Sequence, residues 1–279
     1  MAATCMPKSH VVEQGCPSDV EELGVFVAMA LLSTLQAGAD AGFRRVSSYP
    51  GLGARLAPHR ALRHRLWLTL LRAGVLEPVR SRGRYDDAAT DATWADVSFE
   101  DADWYIVWDE LTRSSLPLRL RTYLDTFAPT PRTREVLVDT WQALGVAECL
   151  AFGEYALSSH NLNPSLATAA APVLPPILAQ QSIGQGCALM WSAAKNVAAW
   201  FLRHGGSGQA AAEHEFTRSM HTMCDRAGLD RPIAMFTRHA AVPLSTFAIS
   251  FVWTSRLGDA YWTSPVSESV LEQARPHAD

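Results

Sequence analysis

Residues 58–84 read PHRALRHRLWLTLLRAGVLEPVRSRGR, and this stretch decides the fold of the N-terminal half. Its first part predicts a helix over residues 58–72, because four leucines recur on one side at helical spacing. These leucines are Leu62, Leu66, Leu70 and Leu71. We expect the helix to stop at Gly74, since glycine readily adopts the left-handed conformation that ends many helices.

Two strands are predicted to follow this helix. Residues 75–79 predict a short strand, and Pro78 places it at a sheet edge because proline cannot donate to a central ladder. Residues 80–84 predict an arginine-rich turn, and residues 104–108 are the most strand-like run of the chain. This order of helix, strand, basic turn and strand resembles the recognition helix and wing of a winged helix-turn-helix domain.

Further helices are predicted on both sides of this region. Ser18 and Glu21 have the spacing of a capping box, so a buried helix should begin there and run to about Leu35. Residues 44–53 are rich in serine, proline and glycine and predict a loop. Residues 116–123 predict the last helix of the N-terminal half.

The C-terminal half has the pattern of a helical bundle. Helices are predicted over residues 134–144, 146–158, 166–178, 186–203 and 209–227. Residues 244–257 predict another helix, although residues 246–254 would also suit a strand.

The fold is therefore expected to be mainly α. We expect residues 18–127 to form an α+β domain with a small antiparallel sheet and residues 133–271 to form a helical domain. A proline-rich linker is predicted at residues 128–132. Residues 1–17 and 272–279 are predicted to be flexible tails.

The composition is that of a folded protein. Of the 279 residues 48% are hydrophobic, and the formal net charge is −4. These values exclude the disordered, collagen-like and coiled-coil classes.

The sequence favours a cytoplasmic protein without a membrane partner. No segment has the roughly 18 consecutive apolar residues that a membrane-spanning helix needs, and the most apolar run, residues 23–32, is too short. Acidic residues precede that run, where a secretory signal would be basic. The five cysteines include no CxxC pair, so we expect neither a disulfide framework nor a zinc site.

Charge is distributed unevenly along the chain. All but two of the 24 basic residues are arginines, the exceptions being Lys8 and Lys195. Residues 44–84 contain ten arginines and one acid, Glu77, whereas residues 85–110 contain nine acids and no lysine or arginine. This segregation gives the N-terminal half a dipolar character that the net charge conceals.

Protein binding is the first function that this pattern predicts, in an adaptor or a neutraliser of a toxin. Arginine and tryptophan are the residues that most often anchor protein interfaces. The expected binding residues are Arg60, Arg63, Arg65, Arg72, Arg80, Arg82 and Arg84, with Trp94 as an exposed anchor.

DNA binding is the alternative function. Arginines of the predicted helix could contact phosphates and guanine edges, and the basic turn could lie along the backbone. The net charge and the sequence pI of about 6.1 oppose this alternative, because nucleic-acid-binding domains are commonly basic.

Catalysis is the second alternative, and the sequence leans away from an enzyme. A hydrolase or transferase would need a site assembled from distant residues, for which Glu154, His160 and Lys195 are the candidates. Ser192 and Lys195 match an SxxK motif but sit in the middle of a predicted helix. His214 and His221 lie on the polar side of another helix, so no metal or cofactor is expected.

Overall fold

A computed structural model of the protein describes residue 17 and residues 19–47, 49–78, 104–204, 208–227, 233–238 and 243–274. The helices are α1 (Gly24–Gly38), α2 (Tyr49–Leu56), α3 (Arg60–Arg72), α4 (Glu110–Thr126), α5 (Pro131–Ser159), α6 (Leu174–Leu178), α7 (Ile183–His204), α8 (Gln209–Ala227), α9 (Thr246–Ser255), α10 (Ala260–Thr263) and α11 (Glu268–Ala274). The strands are β1 (Arg45–Val46), β2 (Leu76–Pro78) and β3 (Trp104–Ile106). The prediction of a mainly α fold with a small antiparallel sheet is confirmed.

The sheet has the order β1-β3-β2, with both neighbours antiparallel to the central strand. Strand β2 therefore lies at an edge, as Pro78 predicts. The predicted loop at residues 44–53 is wrong in part, because it contains β1 and most of α2. Strand β1 is only two residues long, and α2 is interrupted at Gly53, whose φ is 39°. Segments this short carry no detectable periodicity.

Helix α3 begins and ends through local interactions. The Nδ1 atom of His59 accepts a hydrogen bond from the backbone N–H of Ala61 at 3.3 Å, which caps the first turn. Gly74 follows the helix with a φ of 67°, the left-handed conformation expected from the sequence. The buried side of the helix carries Leu62, Leu66, Trp67 and Leu70.

Helix α1 lies at the centre of the N-terminal half. It follows a 3-10 turn at Val20–Leu23 whose first N–H is capped by Asp19. The predicted capping box depends on Ser18, which lies outside the described residues. Residues 28–32 of α1 are completely or almost completely buried, so this helix is a core helix as expected.

Helix α5 is continuous where the sequence predicts two helices. Thr130 caps it and Pro131 occupies its first turn, so α5 starts within the predicted linker. Gly145 lies in its interior, and a side chain there would come within 3.0 Å of Leu178 and 3.2 Å of Ile183. The glycine therefore allows α6 and the start of α7 to pack closely, and it does not end the helix.

Residues 246–255 form helix α9, so the strand alternative for residues 246–254 is wrong. Ser245 caps this helix, and Phe247 and Phe251 are buried. Helix α9 packs against α1, and the Ser250 hydroxyl accepts a hydrogen bond from Ser33 at 2.9 Å. Apolar side chains of both halves therefore belong to one hydrophobic core.

Two described helices are long and apolar enough to span a membrane by length and composition. They are Val20–Gly38, taken with its 3-10 turn, and Pro131–Ser159. Within the structure 67% and 56% of their apolar windows are buried, a property that core helices of soluble proteins share. Both contain charged residues, so neither is an unbroken apolar run, and a cytoplasmic location stays a prediction.

Candidate functional site

Three of the predicted binding arginines lie on the exposed side of α3. Arg60, Arg65 and Arg72 are exposed and fall within about 140° of one another around the helix axis. We call these three residues the arginine face. Arg63 is half-buried instead, and its guanidinium donates to the backbone carbonyl of Ala57 at 3.1 Å.

The remaining predicted binding residues lie outside the described part of the chain. These are Arg80, Arg82, Arg84 and Trp94, and most of the acidic stretch at residues 85–110 lies there too. Asp109 and Glu110 are described and exposed at the start of α4.

Arg65 is held in place by an aromatic ring. Its guanidinium carbon lies 5.4 Å from the centre of the Phe26 ring, in cation–π geometry. The Phe26 ring in turn packs edge-on against Phe247 of α9, with a centroid distance of 5.7 Å. Among the described residues no carboxylate forms an ion pair with Arg65. Its charge is therefore ordered and available to a ligand.

A groove of about 440 Å³ opens beside Arg65, between α3 and α5. Its apolar lining includes Leu62 from α3 and Val146, Ala147 and Leu150 from α5, and its polar lining includes Arg65, Asp139 and Gln142. These residues lie far apart in the sequence. Only the packing of α3 on α5 brings them together, so sequence patterns gave no signal for the groove.

A buried histidine contributes to the lining of the groove. His59 is 3% exposed, and its Nε2 atom lies 3.4 Å from the Glu154 carboxylate of α5. Burial lowers the pKa of His59; Arg60 and Arg63 act in the same direction, whereas Glu154 opposes them. Because Nδ1 caps α3, the neutral ring has no free lone pair for proton transfer. The His59–Glu154 pair therefore joins α3 to α5.

The three candidate catalytic residues have different neighbours in the structure. Glu154 pairs with His59, the His160 ring lies 5.3 Å from the Trp191 ring, and Lys195 is exposed. Within the described ranges, no hydrogen bond or ion pair connects Glu154, His160 and Lys195. On α8, His214 and His221 are exposed, as expected from the helical pattern.

A second polar cluster is buried on another side of α5. The Glu148 carboxylate accepts a hydrogen bond from Arg238 at 2.8 Å and one from the Tyr261 hydroxyl at 3.4 Å. Burial raises the pKa of Glu148, whereas the contacts with Arg238 and Tyr261 oppose that rise. The nearby Cys149 and Cys187 thiols are also buried, and the pKa of Cys187 is raised by its hydrogen bond with Cys149 and by burial.

Arg238 belongs to the described residues 233–238, which we call the strap and which cross the first turn of α7. The N–H of Phe236 donates to the Gly184 carbonyl at 3.0 Å, and the Phe236 carbonyl accepts from the Trp262 indole at 2.7 Å. Gln185 donates to the Ile233 carbonyl at 3.3 Å. The buried cluster and these hydrogen bonds therefore fix the strap, which gives Glu148 a structural role.

Comparison with known proteins adds no relative from which a function could be transferred. The chain matches no protein-family model, no curated protein and no solved structure. The arginine face and the groove beside it are therefore interpreted from their geometry.

Proposed function

We propose that this chain is a non-enzymatic protein-binding module, of the adaptor or toxin-neutralising type, that binds its partner through the arginine face and the adjoining groove. The position of Arg65 carries this proposal. Its guanidinium is ordered on Phe26, has no acidic partner among the described residues, and stands at the edge of an apolar groove.

Such a combination suits a protein partner. Energetically dominant residues of interfaces are often arginines or aromatics next to apolar pockets from which water is excluded. A preordered arginine also loses little conformational freedom when a carboxylate binds to it. The groove supplies apolar surface to bury, and the arginine face supplies charge to select the partner.

Charge reversal on α3 tests this proposal. In the test variant Arg60, Arg65 and Arg72 are all replaced by Glu. A matched control replaces three exposed arginines of other helices, Arg121, Arg132 and Arg203, by Glu. Both variants change the net charge equally.

Each tagged protein is used as bait in lysate of its native host, and co-purifying proteins are quantified by mass spectrometry. We expect a partner that is retained by the wild type and the control but lost from the α3 variant. Failure to retain any partner, or equal retention by all three baits, would contradict the proposal.

DNA binding is the second candidate, and the sheet topology favours it. Helix α3 is followed by β2 and β3, and β1 completes the antiparallel sheet, which is the element order of the winged-helix resemblance. However, α5 lines the groove beside the N-terminal half of α3 and places Asp139 there. A carboxylate at that position opposes the approach of phosphates.

An electrophoretic-shift titration with duplex DNA at low salt separates the two functions. DNA binding predicts a complex whose affinity falls steeply as salt rises, because bound phosphates release counterions. A flat titration with wild-type protein would leave protein binding as the function of the arginine face.

A further inference from the structure

The α5 wall of the groove is one continuous stripe. Its lining residues are Asp139, Gln142, Ala143, Val146, Ala147 and Leu150. Their alternating spacing of three and one places them on one side of α5 over about 16 Å, or three helical turns. Two of them are alanines, so the centre of the stripe leaves room for side chains from outside.

The α3 wall is shorter and carries positive charge. Ala61, Leu62 and Arg65 line it, and Arg65 contributes the guanidinium described above. A carboxylate on this side of a bound segment would meet a cation that has no acidic partner within the described ranges. A lysine or arginine in the same place would be repelled.

The polar groups of the α5 wall offer hydrogen-bond acceptors, one of which is charged. Asp139 is exposed and offers only carboxylate oxygens. The Gln142 side-chain amide donates one N–H to the Pro175 carbonyl at 3.4 Å, which leaves its oxygen and its second N–H for a ligand. Hydrogen-bond donors of a bound segment are therefore favoured on the side that faces α5, whereas its carboxylates are favoured on the side that faces α3.

We infer that the groove binds an amphipathic helix of the partner protein, with apolar side chains at i, i+3 or i+4 and i+7 in the groove. Carboxylates of this helix lie along α3, and basic or amide side chains lie along the Asp139 side of α5. This inference rests on the proposed function, because it specifies the partner of the same surface. Three turns of α5 match such a helix in length, and the two charged walls fix its orientation.

A peptide selection tests the inference without requiring the natural partner. A phage library of random 16-residue peptides is panned on the full-length protein. Phages that also bind the Ala61→Trp variant are removed, because they bind outside the groove. Ala61 is exposed and lines the groove, so tryptophan there occupies the groove without entering the core. We expect enriched peptides to combine the apolar spacing with aspartate or glutamate on one side.

Binding of a synthetic enriched peptide is then measured by fluorescence anisotropy. Arg65→Glu should weaken binding at least about tenfold, the effect of losing roughly one charge pair. Replacing the facing acid of the peptide by lysine should restore binding to Arg65→Glu. Arg121→Glu, which changes an exposed arginine of α4, should leave binding unchanged.

Three results would overturn the inference: no enrichment, enriched peptides without acidic residues, or peptides insensitive to Arg65→Glu. Circular dichroism checks the fold of each variant, and Arg65→Glu remains decisive if Ala61→Trp does not fold. The proposed function fails separately, when the natural partner is retained after reversal of the arginine face. If the natural partner no longer binds after reversal of the arginine face but still binds Ala61→Trp and Asp139→Lys, the proposed function holds. Only the inference that a helix of the partner occupies the groove is then wrong.

Discussion

His59 serves two elements at once, since one ring nitrogen caps α3 and the other faces Glu154 of α5. Burial lowers the pKa of His59 in the folded protein below the ordinary value of 6.5. As pH falls, His59 is therefore protonated in the unfolded chain before it is protonated in the folded protein. The stability that His59 contributes is therefore present above about pH 6.5 and is lost as the solution becomes more acidic.

His59→Asn isolates this effect, because asparagine keeps a capping oxygen at the start of α3 but does not titrate. We expect wild-type protein to lose more stability than the variant between about pH 7 and pH 5. Urea unfolding followed by circular dichroism at both pH values measures the difference. An identical pH dependence of the two proteins would assign the loss to other groups.

The contribution of the Glu148–Arg238 ion pair to stability gives a second prediction. Arg238→Met leaves a buried carboxylate without its cation, which we expect to cost about 3 kcal/mol of unfolding free energy. We expect a value at the lower end of the range for broken buried ion pairs, because the Arg238 side chain is 21% exposed and water can partly solvate the site. The double variant Glu148→Leu/Arg238→Met should recover much of the loss in urea unfolding. Equal losses in Arg238→Met and the double variant would show that the loss does not come from an unpaired Glu148 carboxylate.

At the scale of elements, the strap depends on the absence of a side chain at Gly184. A Cβ atom there would lie 2.7 Å from the Met235 side chain and 2.8 Å from both the Phe236 carbonyl and the Trp262 indole nitrogen. We expect Gly184→Ala to displace the strap and to cost about 1–3 kcal/mol.

Hydrogen exchange at the Phe236 amide, which donates to Gly184, should become faster in this variant. Gly42→Ala is the matched control, because no atom lies within 4 Å of a side chain added there. Unchanged exchange in Gly184→Ala would mean that the strap is held without this close contact.

Elements with local signals were predictable from the sequence, and elements shaped by tertiary contacts were not. Helix α3 and its end at Gly74 follow from leucine spacing and a glycine cap, and α8 has the predicted bounds. The continuity of α5 depends on neighbours that contact Gly145 only after folding. Strand β1 becomes a strand by pairing with β3, which lies far away in the chain.

The candidate site shows the same division. The arginine face could be predicted, because an exposed helix side is encoded in one short segment. The half-buried position of Arg63 and the groove could not, since both depend on how residues packed around α3 are arranged. The Glu148 cluster joins α5 to the strap and α10 and has no sequence signature either.

For the whole molecule, the shared core predicts cooperative unfolding. Helix α9 packs on α1, and both halves contribute to one hydrophobic cluster. We expect urea unfolding curves from far-ultraviolet circular dichroism and tryptophan fluorescence to coincide in a single transition. Two separate transitions would instead support independent domains at residues 18–127 and 133–271.

The contact of Arg65 with the Phe26 ring, and the edge-on packing of Phe26 against Phe247, have a consequence for the timing of synthesis. Phe247 belongs to α9 and leaves the ribosome long after α3 has emerged. A nascent chain that ends before α9 presents Arg65 without this support. Under the proposed function, we therefore expect full affinity for the partner only after α9 has been made and has docked.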